Sequence, residues 1–351
     1  MPKTVSPPGL PPETWRALLS ASSDFSALKP WEFVYDCEPV GLIDPVTGET
    51  CIGNVLGNAG EVFSAIFYRR EGLRWILSML ADPVEPEDIN LADGIDCLQV
   101  EFVTKRELWK EDLAALKSVG FKPVGRGMVW PQFRTFEPGW HPWHINETEA
   151  GQILADLPRL TSFCRLLMDH RGLFENRDPT EIPFLPRTLP DRPLVPEDLD
   201  WRPLLVPPST GLEPFQASTD QLDELRALKR SASFACEFDC TMLPGGSFLK
   251  NGRPCFGRFS LLVERKHGSV VGMDMASGAI ATGEAAGHAL VKALLMAQQL
   301  PETIYIGGER LQPVLQPLCD QLKITLRVVG SLPMLDQAVA DLGEHMMGEK
   351  S

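Results

Sequence analysis

The side chains best placed for chemistry are carboxylates in the C-terminal third. Asp239 lies inside the alternating run Cys236-Glu-Phe-Asp-Cys240, Glu309 follows Gly307-Gly308, and Asp336 opens the last apolar periodic segment. Carboxylates that a fold brings together can hold two divalent ions about 3.5–4 Å apart, which activate water and stabilise a leaving oxygen. Glu237 stands two residues from Asp239, hence on the same strand face. Asp274 sits on a neighbouring strand-like segment and adds a possible ligand, and Asp341 and Glu344 follow along the final helix. On this reading Asp239 and Glu309 bind metal, and Mg or Mn is the cofactor. The structural reading needs no cofactor: Glu309 and Asp336 both stand where helices begin, and a helix N-terminus favours a carboxylate.

Basic residues crowd the same region. Between Arg226 and His267 eight Lys or Arg face three acids, a local net of +5 in a chain of net charge −14. Arg253, Arg258, Arg265 and Lys266 are the phosphate-binding candidates of this group. Few aromatics are interleaved as stacking platforms, so solvated strand edges guarded by Lys and Arg are the favoured account of the run. His141-Pro-Trp-His144 has two imidazoles at a metal-compatible spacing but no third ligand nearby, and reads as packing. The cysteines form no CxxC pair. Cys236 and Cys240 share a face with Phe238, and with Cys255 they read as buried thiols in a reducing compartment rather than a zinc knuckle. The glycines at 53, 57 and 60 do not follow a strand into a helix, so no nucleotide loop is assigned. No serine has a nucleophile context.

The elements that would carry the acids form a clear series. Phe234–Met242, Arg258–Arg265 and Ser269–Met275 read as strands. Glu284–Leu300 reads as a helix, Thr303–Gly307 as a strand, Arg310–Leu322 as a helix, Ile324–Val329 as a strand and Met334–Met347 as a helix. This βββαβαβα order predicts one mixed sheet covered by helices in an α/β domain. It is similar to the order of elements in ribonuclease H-like domains. That resemblance implies the acid triad above, although this chain places Glu after Gly-Gly where integrase-like enzymes have Asp before a small residue.

The N-terminal part reads as an α+β domain on an antiparallel sheet, residues 13–178. Glu13–Leu28 is amphipathic, with Trp15, Leu18, Leu19, Phe25 and Leu28 on one stripe. Val40–Leu56 is split by Asp44-Pro-Val-Thr-Gly48, a hairpin signal. Val62–Tyr68 and Cys97–Thr104 follow as strands, and Glu71–Leu80 and Lys110–Val119 as helices. Thr148–Phe174 is helical, with Pro158 expected to kink or split it. The domain's aromatics, among them Trp31, Phe63, Trp75, Trp130 and Trp143, read as core, with an exposed partner-binding patch as the alternative. Ten prolines between 179 and 214 predict a stiff linker or strap, 179–215, before a C-terminal domain at 216–347. Residues 1–12 read as a disordered lead-in.

Further residues carry a family resemblance. Leu28-Lys-Pro-Trp31, Asp44-Pro45, Thr47-Gly48, Leu56-Gly57, Gly60-Glu61, Tyr68 with Glu71-Gly-Leu73, and Pro138-Gly139 with Pro142-Trp143 resemble one bacterial domain of unknown function. Glu237-Phe-Asp239, Arg253-Pro254, Pro301-Glu-Thr-Ile304 and Leu332-Pro-Met-Leu-Asp336 resemble a second domain that often follows it. The resemblance implies the pairing and no reaction.

Composition sets the outer bounds. Apolar content of 44% and charged content of 23% are those of a globular protein. The acidic balance argues against sequence-independent binding to nucleic acid or anionic membrane. No run approaches a membrane span, and the first residues lack a signal-peptide core. The expectation is a cytoplasmic, two-domain, non-catalytic binding or regulatory protein with a protein partner. A metal-dependent nuclease or phosphodiesterase is the alternative.

Overall fold

A computed structural model describes residues 9–81, 94–123, 129–175, 177–178, 180–206 and 212–348. The first eight residues of the expected lead-in lie outside this range. The chain divides into two compact units, 1–208 and 209–351.

The first unit opens with α1 (Pro12–Leu28), which starts on a proline and stops where Lys29 takes φ 49 before Pro30. Strands β1 (Val40–Ile43) and β2 (Thr50–Leu56) form the expected hairpin. In its turn, the Asp44 carboxylate accepts the Val46 and Thr47 N–H groups at 2.8 and 2.6 Å, and Gly48 supplies φ 75. Then follow β3 (Ser64–Tyr68), α2 (Glu71–Ala81), β4 (Cys97–Val103), α3 (Lys110–Ser118), β5 (Trp130–Phe136), α4 (Glu147–Asp169), β6 (Glu181–Phe184) and β7 (Asp200–Pro203). The seven-stranded sheet has the order β5-β4-β3-β2-β1-β6-β7.

This sheet is mixed, which corrects the antiparallel expectation: β6 runs parallel to β1, with Gly41 opposite Phe184. The long helical crossover through α4 brings the chain back in the same direction, as parallel pairing requires. The proline-rich stretch expected as a linker supplies β6 and β7. Prolines 183 and 203 sit in these two short strands at one end of the sheet, where a missing N–H is tolerated. Helix α4 is one continuous helix despite Pro158. That proline is exposed, so the carbonyl it leaves without a partner can take water. The aromatics are mostly core: Phe25, Trp31, Phe63 and Phe102 pack ring against ring, while Tyr35 is exposed.

The second unit contains α5 (Thr219–Arg226), β8 (Lys229–Lys250), β9 (Arg253–Glu264), β10 (Val270–Ser277), α6 (Thr282–Ala297), β11 (Gln299–Gly307), α7 (Gln312–Gln321), β12 (Thr325–Val329) and α8 (Pro333–Gly348). Its sheet order is β10-β9-β8-β11-β12. Strand β9 is antiparallel to β8 and β10, and β11 is parallel to both β8 and β12. Alternation along β8 divides the side chains: Cys236, Phe238 and Cys240 join the core under α6 and α7, as the sequence predicted. Glu237 and Asp239 face the other way, toward α8, which packs on Leu261 and Val263 through Leu335, Ala338 and the preceding Leu332.

Close packing of α6 on β10 depends on a missing side chain. A Cβ at Gly272 would meet the Ala293 Cβ at 2.4 Å and its Cα at 2.7 Å. Gly272→Ala is expected to destabilise the protein by about 1–3 kcal/mol through overpacking. Gly151→Ala, on open surface in α4, should instead stabilise by about 0.5–1 kcal/mol. Urea unfolding midpoints of the two variants check both signs.

Candidate functional site

The structure gives each predicted acid its own surroundings. Glu237 is fully buried. Its Oε2 accepts the backbone N–H groups of Met334 and Leu335, each at 2.9 Å, so it caps the N-terminus of α8. Its Oε1 faces Arg265 Nε at 3.4 Å, an ion-pair distance. Asp239 accepts the Cys240 N–H at 2.7 Å and a guanidinium N–H of Arg310 at 3.3 Å. Asp274 pairs with Lys292 of α6. Glu309 is exposed in the turn between β11 and α7, and Asp336 is exposed in the first turn of α8. The side chain of Glu344 lies outside the described residues. Among those residues no group of three or more His, Cys, Asp or Glu is arranged to hold a metal ion.

Two of the acids do sense each other. Burial pushes the Asp239 carboxyl above its ordinary range, Arg310 and the Cys240 N–H pull it back in part, and the Asp336 charge adds to the rise. Burial thus opposes the ionisation of Asp239.

The four phosphate-binding candidates differ in exposure. Arg258 is among the largest fully buried side chains, with Nη2 3.5 Å from the Ile280 carbonyl. Arg253 is half-buried. Arg265 lies over the Tyr305 ring at 3.7 Å besides facing Glu237. Only Lys266 is an exposed, solvated cation of the four. Sequence could not separate these cases, because all four lie on or beside strands whose register decides which face each side chain takes.

In the first unit His144 packs among aromatic rings and also meets a carboxylate. His144 lies edge-on to Trp109 and Trp143, with Nδ1 3.6 Å from Asp112. Asp112 also holds Arg134 through both carboxylate oxygens and accepts from Gln132 at 3.2 Å, while Arg134 stacks over Trp109 at 3.8 Å. Burial penalises the Asp112 charge, but the hydrogen bonds and charges of His144 and Arg134 outweigh it and hold the carboxyl down at about 2.

The sequence reading missed a second polar group. Arg69 is nearly buried and makes four side-chain contacts: Asp96 at 2.9 Å, Gln152 at 3.2 Å, Thr135 at 2.9 Å and Glu149 at 3.0 Å. Arg70 adds a two-point contact with Asp96 at 2.7 and 2.9 Å. Glu149 at the same time closes a capping box with Asn146 at the start of α4. These residues come from separate elements, so no local spacing announced them. The one signal was an Arg pair ending an apolar strand.

Residues 15–184 match the model of a domain of unknown function (DUF7309), and residues 221–343 match that of a second, DUF6930. The chain thus carries these two domains in tandem, as the sequence resemblance implied. No curated protein and no solved structure matches it. Among the described residues no helix is long and apolar enough to cross a membrane.

Asp112 sets a pH dependence. Its native carboxyl titrates at about 2, below the unfolded value near 4. The stabilisation, on the order of 2 kcal/mol, is complete above the unfolded value and is lost as pH falls through the native one. Asp112→Asn leaves Arg134 buried without its carboxylate and should cost on the order of 3 kcal/mol at neutral pH. It should also flatten the acid limb of the stability curve. Chemical denaturation across an acid pH series measures both.

Proposed function

We propose that this is a non-catalytic binding protein whose C-terminal domain is a ribonuclease H-like scaffold. The strand order β10-β9-β8-β11-β12, with only β9 reversed, supports the scaffold reading. The observation that carries the non-catalytic reading is the separate engagement of three of the acids, while Glu309 and Asp336 are exposed. Glu237 is used to cap α8, Asp239 meets Arg310, and Asp274 meets Lys292. A two-ion centre needs carboxylates that converge on open space. The binding reading also draws on exposed apolar side chains at Val270, Met273 and Met275, all on the edge strand β10. Methionines adapt to varied partner surfaces, and a protein partner fits the acidic charge better than nucleic acid does.

The metal-dependent phosphodiesterase is the second reading. What favours it is the repulsion between Asp239 and Asp336, which a cation between them would relieve.

Calorimetric titration of Mn²⁺ into wild type and Asp239→Asn, together with hydrolysis of an activated phosphodiester, separates the two. We expect equal, weak Mn²⁺ binding by both proteins and no hydrolysis above the blank. Mn²⁺ binding weakened about tenfold or more by Asp239→Asn, with hydrolysis lost alongside, would establish the second reading.

A further inference from the structure

At one end of the first sheet, between α4 and the strands, lies a cavity of about 330 Å³. That is at the small end of the ~300–1,000 Å³ range of ligand sites. Phe67 and Leu98, both buried, give it an apolar floor. Gln152 and Asp156, one turn apart on α4, line it with Cys51 beside Asp156, and Asp44, Glu49 and the exposed Arg70 complete its polar lining. None of these residues belongs to the acids or bases considered above for nuclease chemistry.

The polar groups here have unused capacity of both signs. The Asp156 carboxylate is mostly buried; it accepts the Cys51 S–H at 3.5 Å, an ordinary length for sulfur, but its contact with Arg159 is long, at 3.4 Å. Charge-assisted bonds to a carboxylate are normally about 2.7–2.9 Å. Arg159 divides its guanidinium: Nη1 is shared between Asp156 and the Ile43 carbonyl, the latter at 3.1 Å, and Nη2 donates to the Pro186 carbonyl at 3.1 Å. Burial raises the Asp156 carboxyl above its ordinary range, with the nearby Asp44 charge adding to the rise and Arg159 opposing it. A cation beside Asp156 would relieve both effects.

Arg70 offers the complement. Its Nε and Nη2 are engaged with Asp96, while Nη1 donates to no group among the described residues. The backbone of Arg70 is held at φ 47, a left-handed conformation that costs a non-glycine residue about 1 kcal/mol. The Asp96 pairing and the Leu73 N–H on the Arg70 carbonyl, at 3.1 Å, hold it there. Such strain is found at ligand clamps. The guanidinium is more than half exposed and Asp156 is mostly enclosed, so the cation receptor lies deeper than the anion receptor.

We propose that this cavity binds a small aliphatic zwitterion, with its ammonium on Asp156, its carbon chain on Phe67 and Leu98, and its carboxylate on Arg70 Nη1. The proposal rests on the reading of the chain as a binding protein and gives that reading a ligand class. No covalent step is involved.

The test is calorimetric titration of the full chain at low salt with glycine, β-alanine, γ-aminobutyrate and δ-aminovalerate, which step the charge separation. n-Butylammonium and butyrate are the single-charge controls. At least one zwitterion should bind saturably, and about tenfold or more tighter than either control, each tenfold being about 1.4 kcal/mol. Asp156→Asn and Arg70→Gln should each weaken it by a similar factor, with urea midpoints confirming that the variants fold. The proposal is overturned if no zwitterion binds to wild type. It is equally overturned if a control binds as tightly, or if both folded variants bind as wild type does. The wild-type comparison stands even if a variant fails to fold. Failure here is distinct from failure of the binding reading, because Mn²⁺ titration and hydrolysis report on Asp239 in the other unit.

Discussion

A carboxylate with no solvent exposure sits under the second sheet, and much of that unit is arranged to tolerate it. Taking the Glu237 charge out of water costs several kcal/mol before compensation. Two backbone N–H groups at the start of α8 offset that cost, aided by the favourable end of the helix dipole. Arg265 adds its charge from the turn after β9 and is itself laid on Tyr305 of β11. One side chain on the central strand therefore connects a hairpin turn, a parallel neighbour and the only described helix on that face. Leu332, Leu335 and Ala338 can pack on Leu261 and Val263 because the helix is anchored there.

This anchoring bears on how the neighbouring acids are understood. Asp239 and Glu237 project to the same face, two residues apart, so a helix pinned to one is necessarily close to the other. Asp336 reaches the neighbourhood of Asp239 for that reason, and their repulsion follows from the cap geometry. Proximity of acids is thus produced by a structural device. The first unit uses similar devices with different partners. Asp96 and Glu149 neutralise Arg69 where β3 ends, and Asp112 neutralises Arg134 on the edge strand β5. In each case a buried charge meets its partner across elements distant in the chain, which specifies the packing as much as it stabilises it.

How much of this was readable in the residues follows from the range of the forces involved. Alternation in Cys236–Cys240 and the run of strands and helices after it are local signals, and they predicted the element order and the face that Phe238 takes. The Asp44–Gly48 turn was local as well. The parallel pairing of β1 with β6 was not, since Gly41 and Phe184 meet only after α4 has crossed. Prolines at 183 and 203 argued for a linker because their tolerance at short strands near a sheet edge is a tertiary property. Arg258 read as a phosphate ligand because a buried guanidinium and an exposed one look alike in sequence. The Arg69 network and the cavity beside Asp156 have no spacing to recognise, because each element contributes one or two side chains.

The account stands on Glu237 as a stabilising structural acid. Residues kept for chemistry often cost the fold stability, and their neutralisation then raises it. The most direct measurement is the unfolding free energy of Glu237→Gln against wild type in urea at neutral pH. The amide keeps an acceptor for α8 but removes the charge that meets the helix N-terminus and Arg265. A loss of about 2–4 kcal/mol is the predicted result. A variant as stable as wild type, or more stable, would contradict the account and return the acids on this face to a site held in reserve for a cation.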